Sequence, residues 1–164
     1  MGYQERKKAR EFLLRHLHYP LNAPAEDWES REFCLTAIAL KNNALRCVPR
    51  KFWQEFDFCL EAVKRNANSL EKINNDVMTE EMCFIAVKQD AHALGIVPKH
   101  LLSEPLILNA LNKDGTALGY VPRTQLTKRI IIAAVKQNKN ALQYVPDEWR
   151  DEAKEAMRET YDAK

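Results

Sequence analysis

AVKQNKNALQYVP, residues 134–146, decides the fold, because near copies of it precede it in the chain. AVKQDAHALGIVP occupies 86–98 and ALNKDGTALGYVP occupies 110–122. With Ala134 as anchor, steps of 24 residues lead back to Ala110, Ala86 and Ala62, and a step of 25 reaches Ala37. The residue after each anchor is apolar: Val135, Leu111, Val87, Val63 and Ile38. Eight past the anchors stand Leu142, Leu118, Leu94, Leu70 and Leu45, and eleven past stand Val145, Val121, Val97, Ile73 and Val48. Pro49, Pro98, Pro122 and Pro146 follow, with Asn74 in the remaining period. Self-similarity at a fixed period of this length marks a repeat architecture.

Each period predicts two helices. The first runs from about four before the anchor to about four after, with apolar positions that share one face at 3.6 residues per turn. Thr79, Ser103 and Thr127 stand ahead of it as N-caps, and Pro105 fits its first turn, where a missing N–H is tolerated. The second helix is short, starts at Asn43, Asn68, His92, Thr116 or Asn140 as N-cap, and ends near the Val-Pro. Between the two lies a turn residue, Asn66, Asp90, Asp114 or Asn138, of a type that tolerates left-handed or turn geometry, with Lys41 in the first period. Apolar residues after the Pro, such as Phe52, Trp53, Leu101, Leu102 and Trp149, predict a further single turn. A unit this small cannot bury its own apolar face, but stacked units can. The expected fold is an all-α solenoid of about five 24-residue two-helix repeats in one domain over 1–164. Residues 1–29, with the helical stretch EFLLRHL, form an N-terminal cap, 30–146 the repeats, and 147–164 a capping helix.

The repeated A-V-K-x-N-x-x-A-L-x-x-V-P pattern resembles a bacterial helical-repeat family known only as a domain of unknown function. Residues 134–146 match it at every specified position, and the periods anchored at Ala86 and Ala110 match closely. Those anchored at Ala37 and Ala62 depart from it: Asn74 replaces the Pro, Ser69 the Ala and Ala39 the Lys. The resemblance covers roughly residues 30–150. It implies an all-α solenoid and a bacterial, phage or plasmid origin, and it carries no activity.

Composition narrows the function. A net charge of +2 with 29% charged residues suits neither a strongly basic polyanion-coating protein nor a disordered acidic tail. No apolar run reaches the ~18–20 residues of a transmembrane helix. MGYQERKKAREFLLRHLHYP lacks the long apolar core and small-residue cleavage site of a signal peptide, and Arg6 breaks the myristoylation pattern. A cytoplasmic monomer without membrane attachment is expected.

Cysteine and histidine placement argues against metal or redox chemistry. Cys34, Cys59 and Cys83 fall three before their anchors, where later periods place Ile107 and Ile131. A column filled by Cys or Ile is a packing column. Cys47 shares its column with Ile96, Tyr120 and Tyr144, and there is no C-x-x-C pair. His16 and His18 face different ways on a helix, while His92 and His100 stand apart from them. No H-E-x-x-H, G-x-S-x-G, P-loop or dinucleotide fingerprint occurs. No catalytic residue, metal ligand or cofactor site is assigned, and the chain reads as a non-enzyme.

Two readings of the surface remain. Solenoids bind through the non-core positions of successive repeats. Those positions vary here, as in Thr36, Glu61, Ile85, Asn109 and Ala133 before the anchors, and Arg46, Glu71, Gly95, Gly119 and Gln143 nine past them. That pattern predicts a protein-binding scaffold that modulates a larger protein, with Tyr120, Arg123 and Tyr144 as candidate contacts, since Tyr and Arg are enriched at binding hot spots. Ile96 in the tyrosine column supports the competing view that the rings pack between repeats. The alternative partner is nucleic acid, held by two basic columns: Lys64, Lys88 and Lys136, and Arg50, Lys99 and Arg123. The first column also lies where cations complement a helix C-terminus.

Overall fold

The computed structural model describes residues 23–161, with Gln4, Lys7 and Glu11 before them. The expected EFLLRHL helix lies outside the described residues, apart from Glu11. Among the described residues the secondary structure is entirely helical. Five α-helices of ten residues recur: α1 Arg31–Leu40, α2 Phe56–Arg65, α3 Glu80–Gln89, α4 Glu104–Lys113 and α5 Lys128–Gln137. A sixth, α6, spans Arg150–Tyr161. No helix among the described residues is long and apolar enough to cross a membrane.

Each ten-residue helix begins six before its anchor and ends three past it, about two residues earlier at the start than the apolar spacing predicts. In three of the five a side-chain cap marks the start: the hydroxyls of Ser30, Thr79 and Thr127 accept from the N–H groups of Phe33, Met82 and Ile130. Ser103 holds the N-cap position of α4, with Pro105 in the first turn. At the other end the chain turns extended. Lys41, Asn66, Asp90, Asp114 and Asn138 each donate an N–H to the carbonyl of the anchor alanine, at 2.8–2.9 Å. The anchors Ala37, Ala62, Ala86, Ala110 and Ala134 are fully buried, and a larger side chain would push neighbouring helices apart.

The second helix of each period is a 3₁₀ helix: Asn42–Arg46, Ala67–Lys72, Ala91–Ile96, Gly115–Tyr120 and Lys139–Tyr144. Its N-cap is not the Asn43, Asn68, His92, Thr116 and Asn140 column that the sequence suggests. The cap stands two residues earlier: the side chains of Asn66, Asp90, Asp114 and Asn138 accept from the N–H groups of Asn68, His92, Thr116 and Asn140, at 2.9–3.0 Å. These caps are extended, with φ between −141° and −158°, and no described residue has a positive φ, so of the left-handed and turn geometries these residue types tolerate the left-handed one is not used. A 3₁₀ helix has three residues per turn, so positions three apart eclipse. That explains why Leu at eight and Val or Ile at eleven recur together: Leu94 and Val97, or Leu118 and Val121, lie buried on one row. The following Pro presets φ and needs no N–H partner, and its carbonyl accepts from the residue three on, opening a short 3₁₀ turn after Pro98, Pro122 and Pro146. Where Asn74 replaces Pro, no 3₁₀ helix follows.

The chain divides into two compact units, Met1–Met82 and Cys83–Lys164, with the division inside α3. The first unit has an aromatic core. Phe52 stacks on Phe58 at 5.0 Å, Trp53 meets Phe58 edge-on at 5.4 Å, and Trp28 meets Phe33 edge-on at 5.1 Å. Cys34 and Cys59 are fully buried there and donate their thiols to the carbonyls of Trp28 and Trp53, at 3.2 and 3.4 Å. Burial pushes the Cys34 thiol up to about 12 and that of Cys59 up to about 11. The second unit has an aliphatic core that includes Leu106, Ile107, Leu111, Ile130, Ile131 and Val135. There α6 packs on α5 and buries Ala153 and Ala156, while Trp149 stays half-buried. Ion pairs flank this contact, Lys128–Glu152 at 3.1 Å and Lys136–Glu159 at 3.9 Å.

Candidate functional site

The second unit presents an aromatic face built by its 3₁₀ helices. Tyr120 closes the helix Gly115–Tyr120, and Tyr144 closes Lys139–Tyr144. Both rings rest on glycines of the preceding period. A Cβ placed on Gly95 would lie 2.6 Å from Tyr120 Cδ1, and one placed on Gly119 would lie 2.9 Å from Tyr144 Cε1. Each ring therefore packs between periods, yet Tyr120 remains 46% exposed and Tyr144 45%. Tyr144 sits on the chain neighbour of Tyr120, so the two rings are successive steps on one side of the unit.

The edge of this face is polar and ordered. His92 meets the Tyr120 ring edge-on at 5.7 Å. Its Nδ1 lies 3.3 Å from Asp90 Oδ1 and its Nε2 lies 3.9 Å from Asp114 Oδ2. Asp114 accepts from the backbone N–H and the hydroxyl of Thr116, and Asn138 Nδ2 reaches it at 3.4 Å. These hydrogen bonds, the backbone N–H of Thr116 first, hold the Asp114 carboxyl below its ordinary pKa. Behind it the Gln137 amide bridges two backbone groups of the preceding period, donating to the Lys113 carbonyl at 3.0 Å and accepting from the Gly115 N–H. The rings are thus carried on a backbone fixed from period to period.

Arg123 is exposed at the start of the 3₁₀ turn Arg123–Gln125 and makes no cation–π contact with either tyrosine among the described residues. The basic candidates Arg50, Lys64, Lys88, Lys99 and Lys136 are all exposed too. Within the second unit the column of Lys88 and Lys136 is interrupted by Asn112, and Lys136 faces Glu159. Lys99 and Arg123 occupy equivalent places in successive periods, but the next is Asp147, paired with Arg150 at 2.6 Å. Arg50 and Lys64 belong to the first unit.

The seat of each tyrosine is the feature that sequence reasoning passed over. Gly95 and Gly119 stood among variable surface positions, although each is matched by a tyrosine 25 residues later. That pairing of Gly with a later Tyr is a signal the sequence carries, and it is missing where Arg46 precedes Lys72.

A family model described as "Domain of unknown function (DUF4116)" matches residues 30–78 and 103–150, together more than half of the chain. Each matched segment covers about two of the 24-residue periods. Comparison with curated proteins finds no match, and neither does comparison with solved structures.

Proposed function

The chain belongs to that family of unknown function, and on this footing we propose that it is a non-enzymatic protein-binding scaffold whose contact face is Tyr120 and Tyr144 with Arg123 beside them. The observation that carries the reading is the seating of the two rings. Each is fixed from beneath by a glycine and left about half exposed, so little side-chain entropy remains to be lost on binding. Tyrosine offers a large apolar ring and a polar tip, a combination enriched where proteins meet. In the same proposal the chain is a solenoid of five two-helix repeats, supported by the recurrent ten-residue helices, and α6 is its C-terminal cap, supported by its burial of Ala153 and Ala156 against a polar outer face.

The test uses the full chain immobilised in bacterial lysate, with and without nuclease, beside the Tyr120→Ala, Tyr144→Ala double variant. A protein retained by the parent under both conditions and released by the double variant supports the tyrosine face. A protein retained equally by both chains refutes it. Nucleic acid retained only without nuclease, and lost on replacing Lys99 and Arg123, supports the basic columns instead.

A further inference from the structure

The first unit carries a groove at the place where the second unit carries its aromatic rings. A cleft of about 440 Å³ opens between the 3₁₀ helices Asn42–Arg46 and Ala67–Lys72. Asn43, Arg46, Asn68, Glu71 and Lys72 bring polar groups to a lining that is about as apolar as polar, together with buried Leu45 and with Asn42, whose Oδ1 accepts from Asn66 Nδ2. In the repeat register Lys72 corresponds to Tyr120 and Arg46 to Gly95. The second unit fills this space with its own tyrosine; the first has no ring to put there.

Three observations describe what the groove accepts. Asn43 and Asn68 occupy equivalent positions in successive periods, so they offer two carboxamides one repeat apart. A carboxamide has a donor and an acceptor side by side and can pair with the C=O and N–H of a peptide group. Arg46 and Lys72 against Glu71 leave the lining with one net positive charge. Among the described residues, the side chains of Asn43, Arg46, Asn68, Glu71 and Lys72 make no hydrogen bond or ion pair with the rest of the chain. Nearby cations of the same unit are engaged, as in Arg31–Glu55 and Arg65–Glu61. These five side chains are therefore free to meet a ligand without first breaking an internal contact.

We propose that this groove binds an extended peptide segment bearing an acidic side chain, with the carboxylate between Arg46 and Lys72 and the peptide groups paired to Asn43 and Asn68. Glu71 faces the same groove and favours a cationic or neutral neighbour to that acidic residue. The site lies wholly within the first unit and does not depend on the tyrosine face of the second.

The experiment is a titration of the isotopically labelled full chain, followed by NMR at the backbone and at the side-chain amides of Asn43 and Asn68. The probe is a terminally blocked pentapeptide of alanines with a central glutamate. The controls are the same peptide with central glutamine, and a short single-stranded DNA. The proposal expects saturable shifts confined to the groove, weakened at least about tenfold by the glutamine peptide and by the Arg46→Gln, Lys72→Gln double variant. Both replaced side chains are exposed and unpaired, and the glutamine peptide tests the same carboxylate contact on the unaltered chain. Equal binding of the two peptides, or no shift at the groove, overturns the proposal. Tighter binding of the DNA at these same resonances also overturns it and makes the groove a polyanion site.

Discussion

Replacing Gly115 by alanine tests how closely successive periods approach. Gly115 has no positive φ, so its backbone conformation suits alanine, and the substitution alone would stabilise by about 0.4–1 kcal/mol through the unfolded state. Packing opposes this. A Cβ at Gly115 would lie 2.1 Å from the carbonyl oxygen of Ala134, 3.0 Å from its carbonyl carbon and 3.1 Å from the backbone nitrogen of Asn138. All three are backbone atoms of the next period, and that oxygen already accepts the Asn138 N–H at the end of α5. The backbones must separate, which also strains the hydrogen bond from the Gly115 N–H to the Gln137 side chain. Overpacking of this kind costs about 1–3 kcal/mol, and a weakened hydrogen bond adds about 1 kcal/mol. The expected net loss is about 1–3 kcal/mol. Gly95→Ala is the control: the nearest atoms to its Cβ belong to the Tyr120 ring, at 2.6 Å, so the half-exposed ring is forced off its seat while the backbones need not separate. Its stability should stay within about 1 kcal/mol of the parent. Urea unfolding followed by far-ultraviolet circular dichroism reads both variants. Gly115→Ala matching the parent, or proving more stable than Gly95→Ala, would refute the close approach of backbones.

Further outcomes follow from the same contacts. Ser69 is buried and donates to the Ala62 carbonyl at 3.1 Å in a column that otherwise holds alanine, so Ser69→Ala should shift the urea midpoint by no more than about 1 kcal/mol in equivalent stability. With the Cys34 and Cys59 thiols pushed up to about 12 and about 11, a thiol reagent at mildly alkaline pH should label half-buried Cys47 first, and reach Cys34, Cys59 and Cys83 only on unfolding. The lowered Asp114 carboxyl contributes stability that is present above the ordinary carboxylate pKa and fades as pH falls through its lower folded value. Asp114→Asn keeps the cap that Asn66 and Asn138 already make and should flatten that acid limb, measured as urea midpoint against pH.

Much of the fold was legible because packing repeats in register. Cys, Ile and Leu exchange within buried columns, while the anchor alanines never change, since nothing larger fits between neighbouring helices. What failed to show was the hydrogen bonding of the second helix. The columns four and six past the anchor are both rich in Asn, Asp and Thr, so composition cannot tell the residue that accepts the capping bond from the one that donates it. The choice of 3₁₀ over α-helix was written more faintly, in the three-residue step from Leu to Val. The groove of the first unit was invisible for another reason: it exists because Lys72 stands where a ring would fill the space, and a missing volume has no letter of its own.

The threefold winding of the 3₁₀ helices would also limit how much each period could say to the partner proposed above. One row of side chains is committed to the core, a second lies against the neighbouring period and ends in the second unit in half-exposed Tyr120 or Tyr144, and the third, six and nine past the anchor, changes except where Gly95 and Gly119 seat those rings. Arg46, Glu71, Gly95, Gly119 and Gln143 are all exposed, and all but the two glycines differ. So few positions form a short word. A partner that must be told apart from others has to be read across several periods at once, so recognition should be lost by deleting or shuffling whole periods more readily than by changing any one letter.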